Sequence, residues 1–414
     1  MFLAVLLWGL LCHATADSAP SHCYINVTKD ISDNQPLLLR HNSSEFQYPR
    51  VQSPSSFELN AGKAELRVAC PNDLLVVDGE TLGIGSGFLK CHGGSNFGVA
   101  GSQVSTPFGR IGCTKPTMLV ARVKRNNCPA NKCMQVGFHM NVFTFLSVID
   151  TIAYDTENRV PIWAHVKVVA CIEGRQRNRE TREFKMGPLL SNTTVEVADI
   201  YNREYQRRRL GAIFDDPERS EWYLSDVIPS GEKYFVEGLL VSPNDLFYKV
   251  QQSSTYFYEN TVPMWRSVQE GNWRYVSSIV RKLASETMTD LEVWSGAIGV
   301  LTLQSSTGVQ RKVFLARDGS GKSILPVPKL LFKYVYDKKL NRGLVFLVVN
   351  NPFLDKVYTG DLVICKRQMV CENLFPQFAH LDKGYTYCCT LDGFLETAKS
   401  LGLPTFNGAT SIGN

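Results

Sequence analysis

Tyr234-Phe-Val-Glu237-Gly238-Leu239-Leu240-Val-Ser-Pro243-Asn-Asp245 leads, after a short gap, to Tyr256-Phe-Tyr-Glu-Asn260-Thr-Val-Pro263-Met-Trp265 and then to Glu270-Gly271-Asn272-Trp273. From Lys233 to Val241 the residues are mostly aromatic and apolar and the run breaks at Ser-Pro, which reads as a strand. From Val262 to Leu283 apolar residues recur at helical spacing. Trp265 and Trp273 stand eight positions apart, so on a helix they fall near one face and read as core, not as platforms for bases. Asn260 lies beside an aromatic strand end, where an asparagine often serves as a helix cap or turn residue.

Outward from this stretch the same alternation continues. Pro161 to Cys171 reads as a strand, Val195 to Leu210 as a helix, and Leu330 to Val349 as two strands joined at Asp337 to Arg342, which together make an α+β domain. Before it the pattern differs. Ala64 to Cys70, Leu74 to Val77, Met118 to Val123 and Met134 to His139 are short β-type segments separated by glycine, serine, proline and asparagine. A small all-β domain over residues 17–145, followed by an α+β domain over 146–414, suits a chain of 414 residues.

The first sixteen residues hold an apolar run, Phe2 to Leu11, ahead of Ala14-Thr15-Ala16, the pattern of a secretory signal peptide. Its removal takes Cys12 with it and leaves eleven cysteines for an oxidising compartment. Six lie before residue 135 (Cys23, Cys70, Cys91, Cys113, Cys128, Cys133), an even set that suits a disulfide module. Five follow (Cys171, Cys365, Cys371, Cys388, Cys389), so the odd thiol belongs to the second part. Zinc is the rival reading for Cys128-x4-Cys133 and Cys365-x5-Cys371, but no histidine pair at ligand spacing accompanies either. No later stretch is apolar for the ~20 residues a membrane-spanning helix needs, and the expected product is soluble and extracellular. Sequons at Asn26, Asn42 and Asn192 are expected glycosylation sites.

The net charge of +5 permits an acidic partner without selecting one, but the cations are gathered. Arg203, Arg207, Arg208 and Arg209 crowd the expected helix; Arg175, Arg177, Arg179, Arg182 and Lys185 line the loop before it. Lys329, Lys333, Lys338, Lys339 and Arg342 follow Pro326-Val327-Pro328. A single such cluster reads as a solvated face; three in one domain favour a polyanion surface. Asp318-Gly-Ser-Gly-Lys322-Ser323 is not a phosphate loop, because Ala316 stands where the motif needs its first glycine and Pro326 opposes the helix that must follow. It reads as a turn between strands.

The opening stretch resembles the DNA/RNA non-specific endonucleases of the His-Me finger (ββα-metal) type. Pro328-Lys329 with Phe332-Lys333, Asn350-Asn351-Pro352, Lys383-Gly384-Tyr-Thr-Tyr-Cys388-Cys389, and Tyr154-Asp155 to Trp163-Ala-His165 extend the likeness from about Ile149 to the end. The cysteine-rich region before it resembles the N-terminal module of arthropod members. The resemblance implies a histidine that takes a proton from the attacking water and an asparagine that holds one magnesium ion. Asn260 with Pro263 falls on the metal-binding asparagine, and Gly238, Leu240, Gly271, Asn272 and Trp273 also match. The chemical positions depart: the arginine is Glu237, the general-base histidine is Leu239, and the glutamate after Gly-Asn-Trp is Ser277. Losing the base forfeits ~10²–10⁴ in rate. His165, on another strand, and His139 read as structural.

What remains without the base is a groove lined by arginine and lysine, whose attraction for phosphates depends on neither sequence nor catalysis. The expectation is a secreted protein that binds double- and single-stranded DNA and RNA, with magnesium-dependent cleavage slight or absent. Its resemblance is to the degenerate branch of the family secreted in tsetse saliva, which implies handling of host nucleic acid. Two alternatives stand: an active nuclease with another base, and an interaction protein without nucleic-acid function.

Overall fold

Leu330 to Val349 folds into the expected hairpin, paired from Leu330 opposite Val349 to Asp337 opposite Arg342. Both strands are buried along almost their whole length, which is why they read as continuous apolar runs rather than alternating ones. They belong to a sheet of ten strands. The computed structural model describes residues 22–412 apart from 42, 61–65, 101, 178–182, 191–196, 225–232, 356–361, 370 and 372–374. The expected signal peptide, the sequons Asn42 and Asn192, and Arg179 and Arg182 lie outside the described residues.

We number the strands of this sheet and of one separate hairpin. The first four are β1 (Val120–Val123), β2 (Lys132–His139), β3 (Phe145–Asp155) and β4 (Val160–Val168). The separate hairpin is β5 (Phe235–Leu239) with β6 (Thr261–Trp265). Then come β7 (Leu291–Ile298), β8 (Leu330–Asp337), β9 (Arg342–Val349), β10 (Gln368–Met369), β11 (Thr386–Cys389) and β12 (Thr410–Ser411). The sheet order is β1-β2-β3-β4-β7-β8-β9-β11-β10, with β12 beside β9. Three helices matter below: α1 (Arg203–Phe214), α2 (Arg274–Glu286) and α3 (Leu395–Ser400).

The boundary expected at residue 145 is displaced. β2 and β3 are the two arms of one antiparallel hairpin, and β1 pairs with β2, so the sheet starts at Val120 and a cut at 145 would split it. From His22 to Cys113 the regular elements among the described residues are short strands and one 3-10 helix, joined by turns, as the turn-rich sequence requires. This region is not detached: Tyr48 stacks on Tyr248 with ring centroids 5.7 Å apart and accepts a hydrogen bond from Gln251 Nε2 at 2.9 Å. Gln176 Nε2 also donates to the Val27 carbonyl at 2.6 Å.

One face of the sheet, with Ala164, Val166, Val293, Leu331, Val335 and Val348, shares its core with Phe235, Met264, Val276 and Val280 of the hairpin and α2. The other face, with Trp163, Trp294, Phe332, Tyr334 and Leu347, packs against Phe394, Ala398 and Leu403 at the C-terminal end, the middle one on α3. Two local expectations shift. The helix read from Val195 to Leu210 runs instead from Arg203 to Phe214, because the Asn202 side chain accepts from the Glu204 and Tyr205 amides and caps it there. The apolar run from Val262 opens as strand β6, paired to β5, and becomes α2 only after a π-helical turn kinked at Gly271. Trp265 and Trp273 are both core residues, one on a strand and one at the helix entrance.

The cysteines pair within the two expected groups: Cys23–Cys91, Cys70–Cys113 and Cys128–Cys133, then Cys365–Cys389 and Cys371–Cys388. Both stretches that could have been read as zinc sites are thus occupied by disulfides. Cys171 is the odd, buried thiol, and burial pushes its pKa up to about 12. A chain starting at Asp17 should therefore show no reactive thiol to Ellman's reagent when native and one after denaturation without reductant. A reactive native thiol would contradict this pairing.

Candidate nucleic-acid interface

The residues that carried the resemblance hold the hairpin, α2 and sheet together. Gly238 sits where an added Cβ would come within 2.5 Å of Met264 Cβ, so only glycine lets β5 and β6 close on each other. At Gly271 an added Cβ would lie 2.8 Å from both the Cβ and the carbonyl oxygen of Lys383. Asn272 Nδ2 donates to the Gln377 and Gly384 carbonyls at 2.9 and 2.7 Å, and Trp273 Nε1 donates to the Leu239 carbonyl at 2.9 Å. Asn350 accepts from the Trp265 amide and donates to the Pro263 and Pro328 carbonyls, tying the end of β6 to the sheet. Each of these hydrogen bonds satisfies a backbone group, buried at Gly384, Trp265, Pro263 and Pro328 and partly buried at Leu239, which is the physical reason for those residue types at that spacing.

Beneath the end of β5 lies a buried ion cluster. Asp245 is 2 % exposed; its Oδ1 is 2.8 Å from Arg281 Nη1 and its Oδ2 is 3.5 Å from Lys333 Nζ. Lys333 also donates to Ser295 Oγ at 2.9 Å and to the Leu240 carbonyl at 3.3 Å, and lies 4.9 Å from the centre of the Trp273 ring. Burial pushes the Asp245 carboxyl pKa up, but Lys333 and Arg281 together hold it below the usual range. Burial lowers the pKa of Lys333, opposed by Asp245. Glu237 and Leu239 are only partly buried on β5, and burial raises the Glu237 pKa. Ser277, one turn before Arg281 on α2, donates its hydroxyl to the Trp273 carbonyl.

Asn260 is fully buried. Its Oδ1 accepts from the Val241 amide at 3.1 Å, and its Nδ2 donates to the Val241 and Thr255 carbonyls at 3.0 and 2.9 Å. His165 Nε2 pairs with Glu292 at 2.8 Å and stacks on Trp294, on the sheet face opposite α2. It is therefore separated by the sheet from Leu239, whose carbonyl is held on the α2 side.

The expected basic clusters are broken up by their surroundings. Lys333, read as a phosphate contact, is 1 % exposed and belongs to the ion cluster, so it faces no solvent. Arg342 pairs at 3.3 Å with the buried Asp337, whose other oxygen caps the amides of Lys339 and Leu340 at the hairpin tip. Lys338 and Lys339 remain exposed there. Lys329 stands at the other end of β8, and eight residues of strand span about 27 Å, so these cations do not form one patch. On α1, Arg208 pairs with Glu204, Arg207 lies 3.1 Å from Glu221, and Arg209 donates to the Phe314 carbonyl. Arg203 lies 4.2 Å over the Tyr234 ring, whose hydroxyl accepts from Arg266 Nη1 at 2.6 Å.

Arg266 belongs to a set of cations that charge clustering along the chain passes over. Between the entrance of α2 and the segment from Gln377 to Lys383 runs an open groove of about 780 Å³, lined by Arg266, Ser267, Arg274, Tyr275, His380 and Lys383 among others. No run of sequence signals it, because its two sides lie more than a hundred positions apart.

A match to the family described as DNA/RNA non-specific endonuclease runs over residues 131–394, most of the chain. The chain belongs to this family. The match begins before β2, so the family domain includes the hairpin that a boundary at 145 would divide. Over 93 % of this chain and 92 % of its own length, a salivary protein of Glossina morsitans morsitans, Tsal1, is 24 % identical. Tsal2A of the same fly is 24 % identical over 96 % of each chain, and a salivary endonuclease of Lutzomyia longipalpis is 22 % identical over 91 % of this chain and 83 % of its own. A chain of the crystal structure of the EndoG/EndoGI complex aligns at 15 % identity over 56 % of this chain and 83 % of its own, with a TM-score of 0.30.

DNA/RNA non-specific endonucleases are generally metal-dependent, and the resemblance assigned a magnesium ion to Asn260. The residue does not fit that role. Its amide oxygen already accepts a buried backbone N–H, and it has no exposed surface from which to meet an ion. Among the described residues no three His, Cys, Asp or Glu side chains are grouped as metal ligands either.

Proposed function

We propose that this chain is a secreted, sequence-nonspecific DNA- and RNA-binding protein on a His-Me finger nuclease fold, with residual cleavage at most. The observation that carries the reading is at the end of β5. The family position of the general base is Leu239, which has no group to accept a proton, and the expected metal ligand Asn260 is spent on backbone hydrogen bonds. Scaffold residues are retained while the chemical ones are replaced, as expected of a fold kept for binding. Affinity would come from phosphate neutralisation by exposed cations such as Lys338, Lys339 and Arg208, with the half-buried Arg203 elsewhere on the same helix, and so would fall steeply with salt.

Export is supported by the signal-like residues 1–16, the five disulfides and the salivary names of the relatives. No helix among the described residues is long and apolar enough to cross a membrane. Asn26 is partly exposed, with its Oδ1 accepting from the Thr28 hydroxyl, and is the described sequon available for a glycan.

A gel shift with double- and single-stranded DNA and RNA over a salt series tests this reading; absence of binding at low salt would remove it in favour of an interaction protein. Lys338→Ala with Lys339→Ala should flatten the slope of log K against log salt by about 1–2, roughly one unit for each phosphate that is no longer neutralised. An unchanged slope would place binding away from the hairpin tip. Lys333→Met should leave the slope as it is, because the ammonium reaches no ligand.

A further inference from the structure

We infer that the groove between the entrance of α2 and the segment from Gln377 to Lys383 is a subsite for one nucleotide unit, its phosphate on Arg274 and Lys383 and its base against Tyr275. This rests on the nucleic-acid reading above and names a surface for it. The groove lies on the side of α2 away from Val276, Val280 and Ala284, so it is separate from the end of β5.

Four observations carry it. The groove's volume falls within the ~300–1,000 Å³ of small-ligand clefts. Its charge is uneven: Arg266, Arg274 and Lys383 line it together with one carboxylate, Glu270, which Arg266 pairs at 2.9 Å, while Asp382 beside the groove stands 3.9 Å from Lys383 Nζ. Ser267 lines it with only 6 % exposure, and its hydroxyl lies just beneath the surface without a hydrogen-bond partner, so a turn about χ1 would bring it to a phosphate or sugar oxygen in the groove. Tyr275 is held by edge contacts to Phe375 and Phe378 and supplies an aromatic wall, the usual platform for a base without sequence preference. Arg203 and Arg266 share the Tyr234 ring, so cations run from α1 to the groove, a path for a strand longer than one unit.

The test uses the full secreted chain, a labelled single-stranded dodecamer, AMP, and inorganic phosphate. Arg274 is exposed, and Lys383→Ala keeps the Cβ that packs on Gly271, so Arg274→Ala with Lys383→Ala should fold with an unchanged melting temperature. The expected results are weaker dodecamer binding with a salt slope lower by about 0.7, the share of one phosphate on a single strand, and competition by AMP that Tyr275→Leu reduces. If the wild type fails to bind the dodecamer, the nucleic-acid reading itself falls. If it binds and the double variant binds identically with the same slope, the subsite is wrong while that reading stands. Competition by phosphate as strong as by AMP, untouched by Tyr275→Leu, would leave an anion site and overturn the nucleotide assignment.

Discussion

Asp245→Ala should lower the unfolding free energy by about 3–5 kcal/mol, the cost of leaving buried charges without their partner. Two cations depend on this carboxylate, Arg281 at 2.8 Å and Lys333 at 3.5 Å, and all three side chains are buried. Urea denaturation with the disulfides intact measures the effect. A midpoint close to wild type would mean that the cluster is not holding the sheet, hairpin and α2 in register. The pH dependence has a defined sign. Because the folded Asp245 pKa is depressed, its contribution is present above the unfolded value of ~3.9 and is lost as pH falls through the lower folded value. The gap between wild type and variant should therefore be full at neutral pH and narrow below about pH 4.

Asn260→Ala should cost about 3 kcal/mol, since it strands the Val241 amide and two carbonyls in a fully buried place, and unsatisfied buried groups cost ~1–3 kcal/mol each. The same loss is expected with millimolar magnesium or with EDTA. Magnesium should not move the wild-type melting temperature through this residue. If magnesium stabilises the wild type and the substitution abolishes that gain, Asn260 is a ligand and its role as a backbone clamp is wrong.

Much of the architecture was legible because its signals are local. The hairpin from Leu330 to Val349 announced itself by two apolar runs around Asp337 to Arg342, and the turn at Asp318 to Lys322 by its glycines; both are present. The cysteine partition held because each half of the chain pairs within itself. What escaped depends on neighbours distant in sequence. Lys333 reads as one of several cations until Asp245, Ser295 and the Leu240 carbonyl close around it. Glu259 gave no sign of being buried, yet its carboxylate accepts from the amides of Gly187, Leu189 and Leu190 and anchors that loop. The groove joins residues near 270 to residues near 380, and charge clustering along the chain cannot register such a meeting. Asn260 shows the limit of resemblance: the run after it reads as a helix but opens as strand β6, and Asn260 itself ends a short 3-10 turn with its side chain spent on the Val241 and Thr255 backbone, close to the turn role open to an asparagine there.

The central claim is that the fold binds nucleic acid without the means to cut it efficiently. The most direct measurement incubates the wild-type chain with plasmid DNA and single-stranded RNA, with magnesium and separately with EDTA, and follows both mobility and fragment length. The account predicts retardation that fades with added salt, and substrates that stay essentially full length in both buffers. Magnesium-dependent fragmentation at the rate of an active member of the family would contradict it, and would turn attention to Glu237, the partly buried carboxylate on β5, as the base.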